Sequence, residues 1–485
     1  MHILTNGRFG IFRDEYYYLA CAGRPAWGYV DQPPLSIWLL SVWKSVFGDS
    51  VHSIRVLPAL CGSGLIVLTG ATAARLGGGR WAQLLAALAA AIGAAGLVIC
   101  GFYSMNCYDL LFWLGAYYIL IRIARTGDGK YWLWMGIVLG LGLFNKIGLL
   151  VFGLTLVIGL LVTRHRRHFA DRYLYLGGLI AIVFLIPYAL WNAANDWAAL
   201  EFIKNAKAGK IASFSPIEFL SENMLEANPV TLPLWIGGLA WLFLARRARR
   251  YLLVALMFVA TFVILIVQKS KPYYFAASFP VLMAAGGVAW EQWTNGRRWK
   301  WVRWALCIIL IAGGVVLSPM AVPLLSPEDT VAYGRRMGIV PAAQEVGHTS
   351  ALPQYFSDRL GWENLARVVS EAYRDLPAGE RERCFVLGLN YGHAGSLEYW
   401  SRKYELPPVY CMHNNYWLWG PPPGNSEIII VIRGGRKNLE KLFDEVIEAG
   451  VAESPYAMES HMTVWICRGL RRPIKDIWKK NKSYG

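Results

Sequence analysis

Between about residues 54 and 322, long apolar segments alternate with short polar loops. A helix that crosses a membrane needs about 20 apolar residues. The stretch 131–163 is too long for one crossing and contains the polar pair Asn145-Lys146, so we expect a tight helical hairpin that turns at this pair. The pattern then predicts about ten crossings, at 54–74, 82–101, 107–124, 131–145, 147–163, 173–191, 230–246, 251–268, 273–292 and 303–322.

The charges in the loops predict how these helices are oriented. Alternate loops are rich in Arg and Lys, for example at 164–172, whereas the loops between them carry most of the acids. Cytoplasmic loops of membrane proteins have an excess of Lys and Arg. We therefore expect a multi-pass protein of the cytoplasmic (inner) membrane, surrounded by membrane lipids, with the acidic loops and everything after residue 322 on the extracytoplasmic side.

The amino-terminal region, 1–53, is expected to be an extracytoplasmic loop. Residues 1–12 contain neither a signal peptide nor a spanning helix that would carry this loop across the membrane. Either the amino terminus is translocated unaided, or a helix precedes it outside this sequence; we favour the preceding helix. Residues 33–47 begin with two prolines and contain Trp38 and Trp43. They are too short to span, and they favour a helix at the membrane interface over an ordinary packed helix.

Beyond residue 322 the composition changes to that of a soluble domain, which separates a transmembrane part, 54–322, from a final domain, 323–485. Residue patterns in this domain predict helices at 358–376 and 436–449. They alternate with predicted strands at 384–389, 427–432 and 463–467. The predicted fold class is therefore a multi-span α-helical membrane protein with a C-terminal extracytoplasmic α/β domain, whose sheet is largely parallel. The cysteines of this domain either form one disulfide or are all reduced; they are Cys384, Cys411 and Cys467.

The composition agrees with a membrane protein. Hydrophobic residues make up 55% of the chain, charged residues make up 16%, and the mean hydropathy is +0.35. The net charge of +16 lies largely in short loops, where it orients the helices, so we expect no nucleic-acid partner. The sequence contains no P-loop, HExxH or CxxC motif, which leaves nucleotide-driven transport and zinc proteolysis without support.

Three acids are candidates for chemistry. Asp14 and Glu15 are adjacent in the first polar region, and Asp109 lies in the first turn of an apolar helix. An ionisable group in that position is costly unless it faces a cavity or a partner. The alternatives are a solvated loop acid for Asp14 and a helix-terminal acid, favoured by the helix dipole, for Asp109.

Five cations are candidates for binding phosphate. Lys146, Lys269 and Lys271 lie at the predicted outer ends of helices, and Arg24 and Arg55 lie near the acidic segment. Lysines that snorkel to the membrane surface account for the same pattern. The neighbouring Tyr273 and Tyr274 either stack on a sugar or line a lipid groove, or they belong to the aromatic belt of the membrane interface.

Several motifs carry a resemblance to one known family. They are Phe12-Arg13-Asp14-Glu15-Tyr16-Tyr17, Trp27-Gly28-Tyr29-Val30-Asp31-Gln32-Pro33-Pro34, Leu76-Gly77-Gly78-Gly79-Arg80, Tyr108-Asp109-Leu110-Leu111-Phe112-Trp113, Gly142-Leu143-Phe144-Asn145-Lys146, Lys271-Pro272-Tyr273-Tyr274, Tyr391-Gly392 and the run 413–420. With these motifs the chain resembles bacterial family-39 glycosyltransferases. Those are relatives of the protein O-mannosyltransferases and the lipid A aminoarabinose transferases, and they have the multi-span GT-C fold.

The resemblance implies an enzyme that moves a sugar from a polyprenyl-phosphate donor to a glycan, lipid or protein acceptor. The reaction needs a base for the acceptor proton and cations for the leaving phosphate. We expect Asp14 to be the base of an inverting transfer and Lys271 to rank first among the cations. Glu15 either orients the acceptor, binds a divalent ion or pairs with Arg13, and Asp109 holds donor or acceptor.

Two alternatives to an enzyme remain at this point. One is a catalytically inactive scaffold or sensor built around the outer domain, in which Asp14 and Glu15 would be dispensable; the other is a transporter. A transporter or flippase of a lipid-linked substrate would place its charges near the middle of the membrane, in broken helices. The acids of this chain are concentrated in the first polar region and at helix ends, which favours the enzyme. No cofactor is predicted with certainty, but a divalent metal ion bound by Asp14, Glu15 and Asp109 is compatible with the pattern.

Overall fold

The computed structural model describes residues 1–209, 215–339, 350–423 and 428–485. The chain begins with four helices, which are α1 (His2–Thr5), α2 (Arg13–Ala22), α3 (Leu35–Phe47) and α4 (Val51–Ile54). The helix predicted at 33–47 is thus present as α3. One face of α3 is buried at Ile37 and Leu40, whereas large apolar side chains on its other faces are exposed at Leu39, Val42, Val46 and Phe47. An exposed apolar face suits a position at the membrane interface, which stays a prediction.

The apolar part of the chain is a bundle of helices. These are α5 (Val56–Leu76), α6 (Arg80–Ile92), α7 (Ala94–Ile99), α8 (Met105–Thr126), α9 (Tyr131–Asn145), α10 (Leu150–Val162), α11 (Arg172–Ala194), α12 (Ala198–Gly209), α13 (Pro216–Glu226), α14 (Leu232–Leu244), α15 (Leu252–Val267), α16 (Phe279–Trp293) and α17 (Lys300–Ala321). Short 3-10 turns lie between several of them, at Ile147–Leu149, Arg164–Ala170, Pro229–Thr231, Arg246–Tyr251, Pro272–Tyr274, Ala276–Ser278 and Arg297–Trp299.

Each predicted crossing corresponds to helix, but not every helix is long enough to cross a membrane alone. In the described part of the chain, six helices meet the requirements of length and apolarity, and up to eight crossings result if each of two bent pairs counts as one. The segment 82–101 is broken at Gly93, between α6 and α7. α9 has 15 residues, or about 22 Å at 1.5 Å per residue, against a hydrocarbon core of about 30 Å.

The predicted hairpin at 131–163 differs from the structure. α9 does end at Asn145, and a 3-10 turn follows Lys146 before α10 begins. However, α9 packs along α8 and α11, whereas α10 packs along α15. The polar pair therefore lies where the chain leaves one group of helices and joins another, and its side chains are turned toward the start of α8.

α16 lies at the centre of the bundle and is buried along most of its length. Two glycines let neighbouring helices approach its backbone. A Cβ on Gly286 would lie 2.0 Å from the carbonyl oxygen of Leu234 in α14, and one on Gly287 would lie 2.3 Å from that of Ala82 in α6. Small residues at helix contacts are typical of membrane bundles, since close backbone approach replaces hydrophobic side-chain packing.

The C-terminal domain contains a five-stranded sheet with the strand order β2-β1-β3-β5-β4. Its strands are β1 (Cys384–Gly388), β2 (Val409–Cys411), β3 (Ile428–Ile432), β4 (Phe443–Ala452) and β5 (Met462–Leu470). Its helices are α18 (Pro327–Arg336), α19 (Gln354–Ser357), α20 (Trp362–Arg374), α21 (Ala378–Arg381), α22 (Tyr391–Trp400), α23 (Asn415–Leu418), α24 (Arg436–Leu439) and α25 (Ile474–Lys480). The predicted class, a helical membrane protein with a C-terminal α/β domain, is confirmed.

The pairing of the strands corrects the prediction of a largely parallel sheet. β1 pairs in parallel with β2 and β3, whereas β5 pairs antiparallel with β3 and β4. The sheet is therefore mixed. The predicted strands at 384–389, 427–432 and 463–467 correspond to β1, β3 and β5, although Glu427 lies outside the described residues. All three cysteines of the domain are buried free thiols in the structure.

The helix predicted at 436–449 is wrong beyond its first turn. α24 ends at Leu439, and β4 begins at Phe443. β4 pairs with β5 from Phe443 opposite Leu470 to Ala452 opposite Met462, with a register shift between Glu448 and Gly450. The apolar spacing of this segment suits either an amphipathic helix or a strand with an irregularity. Pairing with the free edge of β5 decides between them, because strand formation depends strongly on tertiary context.

The C-terminal domain is docked on the amino-terminal region through α22, which packs against α2. The two helices approach closely at glycines. A Cβ on Gly395 would lie 2.9 Å from the backbone of Tyr16, and one on Gly392 would lie 2.6 Å from the side chain of Arg13. A side chain at either position would push the helices apart, so these glycines fix the distance between the C-terminal domain and the acidic segment.

Candidate functional site

The acidic segment forms the first turn of α2 rather than an irregular loop. Phe12, at the N-cap, has an extended backbone, and its N–H donates to Glu15 Oε2 over 2.9 Å. Acids in the first turn of a helix are stabilised by the unpaired N–H groups there. Adjacent residues in a helix point about 100° apart. Asp14 and Glu15 therefore face different surroundings, and the structure separates their roles.

Glu15 is fully buried and is held by Arg55, whose side chain is 1% exposed. The closest atoms of this ion pair, Arg55 Nη2 and Glu15 Oε2, are 2.6 Å apart. Glu15 Oε1 also accepts from the backbone N–H of Tyr103 over 2.8 Å, and Arg55 donates to the carbonyl oxygens of Asn6 and Gly10. The polar atoms of both side chains are thus committed to each other and to the backbone, which favours a structural role. That Glu15 contacts substrate or metal and that Arg55 binds phosphate stay predictions.

Asp14 is the accessible acid of the pair, with a side chain that is 36% exposed. Its Oδ1 accepts a hydrogen bond from the hydroxyl of Tyr391, at 2.8 Å. The same oxygen lies 3.7 Å from Arg13 Nε. Arg13 in turn lies 3.6 Å from the buried carboxylate of Asp358. Asp14 is therefore oriented by the C-terminal domain while part of its carboxylate faces solvent.

A second acid, Asp31, approaches the same face of α2. It lies in the motif region before α3 and accepts a hydrogen bond from the hydroxyl of Tyr17 at 3.0 Å. Burial raises the pKa of Tyr18 well above its usual range, and the charges of Asp31 and Asp14 raise it further. Both carboxylates therefore lie close enough to Tyr18 to affect its pKa. In the sequence, Asp31 is part of a family-like motif but was assigned no role; its position shortly before Pro33-Pro34 was the available signal.

The second part of the site surrounds Lys146. Its Nζ lies 3.1 Å from Asp109 Oδ2 and 2.8 Å from Asn106 Oδ1, both on the first turns of α8. The same ammonium lies 4.7 Å from the ring centre of Tyr274 and 5.8 Å from that of Tyr273. Four predicted site residues, from three separate parts of the chain, therefore come together. Both members of the ion pair are largely buried, with side chains that are 12% and 10% exposed.

The other predicted cations have different surroundings. Lys271 is half-buried at the N-cap of the 3-10 turn Pro272–Tyr274, and so it directly precedes the two tyrosines that face Lys146. Lys269 is exposed and has a positive φ of 51°, an uncommon conformation for a residue with a side chain. The order expected among these lysines, with Lys271 first, stays a prediction.

A chain of contacts joins the two parts of the site. Asp14 and Tyr18 are four residues apart on α2, so they share one face of the helix. The hydroxyl of Tyr18 accepts from the backbone N–H of Met105 over 3.2 Å, and the carbonyl oxygen of Met105 accepts from Asn145 Nδ2 over 2.9 Å. Asn145 is adjacent to Lys146. The accessible carboxylate and the buried ammonium are thus fixed relative to each other by α2, α8 and α9.

Two buried polar residues of the C-terminal domain, His393 and Asn415, have different partners. His393 is fully buried and lies 2.7 Å from Glu459 Oε2. Burial would raise the pKa of Glu459, but the charge of His393, its hydrogen bond and the charge of Arg13 hold that pKa at about 2. This pair stabilises the domain. Asn415, in contrast, bonds to α2 and the following loop: its Oδ1 is 3.1 Å from the hydroxyl of Tyr17 and accepts from Val30 N over 2.7 Å.

The acids do not form a metal site. Among the described residues, the structure contains no group of three or more His, Cys, Asp or Glu side chains that could hold a metal ion. Of the three acids considered for a divalent ion, Glu15 is committed to Arg55 and Asp109 is paired with Lys146. These residues do not fit a shared ion, and we derive no step of the chemistry through one.

Comparison with known proteins confirms the family resemblance. Residues 31–191 match the model of the family described as dolichyl-phosphate-mannose-protein mannosyltransferase. No curated protein sequence matches the chain.

The fold is shared with ArnT from Cupriavidus metallidurans. The apo structure of that protein matches with a TM-score of 0.62 at 16% sequence identity, over 94% of this chain and 93% of that chain. The structure of the same protein bound to undecaprenyl phosphate matches with a TM-score of 0.62 at 15% identity, over 94% of this chain and 92% of that chain. Residues 31–191 therefore carry the similarity to this mannosyltransferase family, and the fold shared with ArnT extends over 94% of the chain.

Proposed function

We propose that the protein moves a sugar from a polyprenyl-phosphate-linked donor to an acceptor on the outer face of the cytoplasmic membrane. The observation that carries this proposal is that the structure holds an accessible carboxylate, Asp14, and a largely buried ammonium, Lys146, in one site. The hydrogen bond between Met105 and Tyr18 connects the helices that carry them. The ArnT structure with undecaprenyl phosphate supports this class of donor.

Asp14 is the proposed general base. Its Oδ1 is occupied by the hydroxyl of Tyr391, while no hydrogen bond to Oδ2 occurs within the described residues. An acceptor hydroxyl that approaches Oδ2 can give up its proton as it attacks the anomeric carbon of the donor sugar. A phosphate is a good leaving group, so no acid is needed on the other side of the sugar. Direct attack of this kind inverts the configuration at the anomeric carbon.

Lys146 is the proposed centre of the phosphate site. Asp109 and Asn106 hold its ammonium at the start of α8, and Tyr274 and Tyr273 cover it. As the bond between sugar and phosphate breaks, negative charge grows on the phosphate oxygens, and a fixed cation stabilises that charge without reorganising. Asp109 thus acts by orienting Lys146. Lys271 supplies a second charge next to the tyrosines, and Lys269 lies two residues before it in the chain.

The phosphate site predicts a loss of donor affinity in two variants. Replacing Lys146 by Met or Lys271 by Ala removes one charge-assisted contact, which is worth about 1.5–3 kcal/mol, or about tenfold to a hundredfold in affinity. Binding of a polyprenyl-phosphate sugar to the purified variants in nanodiscs measures this loss. Arg166→Ala, on the opposite side of the bundle by the loop charges, is the control and should bind normally. Unchanged affinity in Lys271→Ala would remove Lys271 from the site.

The proposed orientation predicts which side of the membrane each part faces. Arg166 and Lys437 are both exposed in the structure, so each position is suitable for a single introduced cysteine. The eight native cysteines are buried and should give little background. An impermeant thiol reagent should label Lys437→Cys in intact cells and should label Arg166→Cys after the membrane is opened. Equal labelling of both positions in intact cells would reject the orientation.

The function itself can be tested in the organism that makes the protein. Mass spectrometry of envelope lipids, glycans and proteins should show one sugar-sized mass lost in a deletion strain. The wild-type gene should restore that mass, and a gene with Asp14→Asn should not. Identical envelopes in the deletion strain and its parent, under conditions where the protein is made, would count against the proposed transfer.

A further inference from the structure

The hydroxyl of Tyr391 lies 2.8 Å from Asp14 Oδ1, which places a residue of the C-terminal domain directly on the proposed base. We propose that Tyr391 is a positioning residue for Asp14, so that the C-terminal domain completes the catalytic site. This inference rests on the proposed function. It gives the domain a part in the reaction beyond any binding of acceptor.

The position of Tyr391 is fixed from its own backbone outward. It is the first residue of α22, and Asn390 caps that helix by accepting from His393 N over 3.0 Å. The same Asn390 donates from Nδ2 to Glu459 Oε1 over 2.9 Å, and Glu459 is held in turn by His393. The start of α22 is therefore tied to the core of the domain.

The ring of Tyr391 is held between two aromatic side chains. His413 is stacked on one side, with 5.1 Å between ring centres and 18° between ring planes, and Tyr17 lies at 4.9 Å. The hydrogen bonds of His413 are consistent with one neutral tautomer. Nε2 lies 2.6 Å from the carbonyl oxygen of Gly485 and can donate to it, while Nδ1 accepts from the backbone N–H of Tyr391 over 3.4 Å. The ring of Tyr391 thus has little freedom to turn its hydroxyl away from Asp14.

This arrangement has a consequence for the chemistry of Asp14. A hydroxyl that donates to one carboxylate oxygen fixes the direction of the second oxygen. The free oxygen of a base must point at the acceptor whose proton it takes. Tyr391 meets this need by acting through Asp14, which is what distinguishes a positioning residue from a catalytic one.

The variant Tyr391→Phe tests the inference, since it removes the hydroxyl and keeps the ring between His413 and Tyr17. We expect kcat to fall by about tenfold to a hundredfold, the loss typical of one hydrogen bond to a charged group. The KM for the donor should remain unchanged, because the phosphate site is untouched.

The matched control is Tyr399→Phe, on the same helix. The Tyr399 ring packs against Tyr16 at 5.5 Å, and its hydroxyl makes no hydrogen bond within the described residues. This variant should have wild-type kcat and wild-type KM for the donor. A wild-type kcat in Tyr391→Phe would overturn the inference. If Tyr391→Phe does not fold, His413→Gln carries the test, since it removes the stacked ring. A lower kcat at an unchanged KM for the donor in that variant supports the inference, and a wild-type kcat overturns it.

Failure of this inference can be told apart from failure of the proposed function. If Asp14 is not the base, Asp14→Asn is active whatever Tyr391→Phe does. If Asp14 is the base but Tyr391 does not position it, Asp14→Asn is inactive and Tyr391→Phe behaves like wild type. Combining Asp14→Asn with Tyr391→Phe gives a third measurement. With Asp14 already replaced, the loss of the Tyr391 hydroxyl should lower the residual rate no further.

Discussion

Replacing Asp14 by Asn is expected to lower the rate of sugar transfer by about 10²–10⁴-fold, the usual contribution of a general base. The amide keeps the size of the side chain and can still accept from Tyr391, but it cannot take a proton from the acceptor. Because the phosphate site lies on other helices, donor binding should be retained. Single-turnover transfer at saturating donor measures the rate, and a thermal unfolding curve shows that the variant is folded.

The result for Asp14→Asn has two outcomes that would defeat the assignment. Full transfer activity would mean that another group takes the proton, with Asp31 the nearest candidate because it approaches the same face of α2. Loss of donor binding together with loss of folding would mean that Asp14 is structural. Its side chain is 36% exposed and makes no ion pair closer than 3.7 Å in the described residues, so we expect neither.

Replacing Glu15 by Gln is expected to act on stability rather than on chemistry. The change leaves the guanidinium of Arg55 buried without its counter-charge, and breaking one side of a buried ion pair costs about 3–5 kcal/mol. That is a large part of the total stability of a typical domain, about 5–15 kcal/mol. We therefore expect a low yield of folded protein and a lower melting temperature, while the folded fraction retains transfer activity.

A second substitution provides the control for Glu15. Combining Glu15→Gln with Arg55→Met removes the uncompensated charge, so the double variant should regain part of the lost stability. Asp14→Asn, on the neighbouring residue, should melt near the wild-type temperature. A Glu15→Gln protein that is as stable as wild type but inactive would contradict the structural role, and it would return Glu15 to the group of catalytic candidates.

The sequence was most informative where one pattern had one structural solution. Long apolar segments can only be helices, and the helix predicted at 33–47 follows from its two prolines and its apolar length. The segment 436–449 failed because its apolar spacing suits either a helix or a strand. What decides is the free edge of β5, which lies beyond the reach of a local pattern. The prediction of one continuous crossing at 82–101 failed for a similar reason, because this apolar segment contains two helices that meet at Gly93.

The candidate site shows the same division. Asp14, Lys146, Asp109 and the two tyrosines were predicted from their types and from family-like motifs, and the structure brings the last four together. The different surroundings of Asp14 and Glu15 could not be predicted, because they arise from the direction of side chains on a helix and from the distant Arg55. The contact between Tyr391 and Asp14 could not be predicted either. The two are 377 residues apart, and their close approach depends on the docking of α22 on α2.

A transporter of lipid-linked substrates is the principal rival to an enzyme, and the two differ in what happens to the donor. A transporter moves the intact lipid-linked sugar across the bilayer, whereas a glycosyltransferase breaks the bond between sugar and phosphate. The buried charges of the proposed phosphate site, Lys146 and Asp109, lie at helix ends, where Lys146 meets the first turns of α8. They therefore suit chemistry at the membrane surface more than passage through its middle.

The most direct test follows the fate of a labelled donor. Purified wild-type protein in proteoliposomes is given a panel of polyprenyl-phosphate sugars together with envelope extract as the source of acceptor, and the lipid products are analysed by mass spectrometry. We expect release of free polyprenyl phosphate in step with labelled acceptor for one donor, and none of either with Asp14→Asn. Movement of an intact donor across the bilayer without release of polyprenyl phosphate would contradict this expectation.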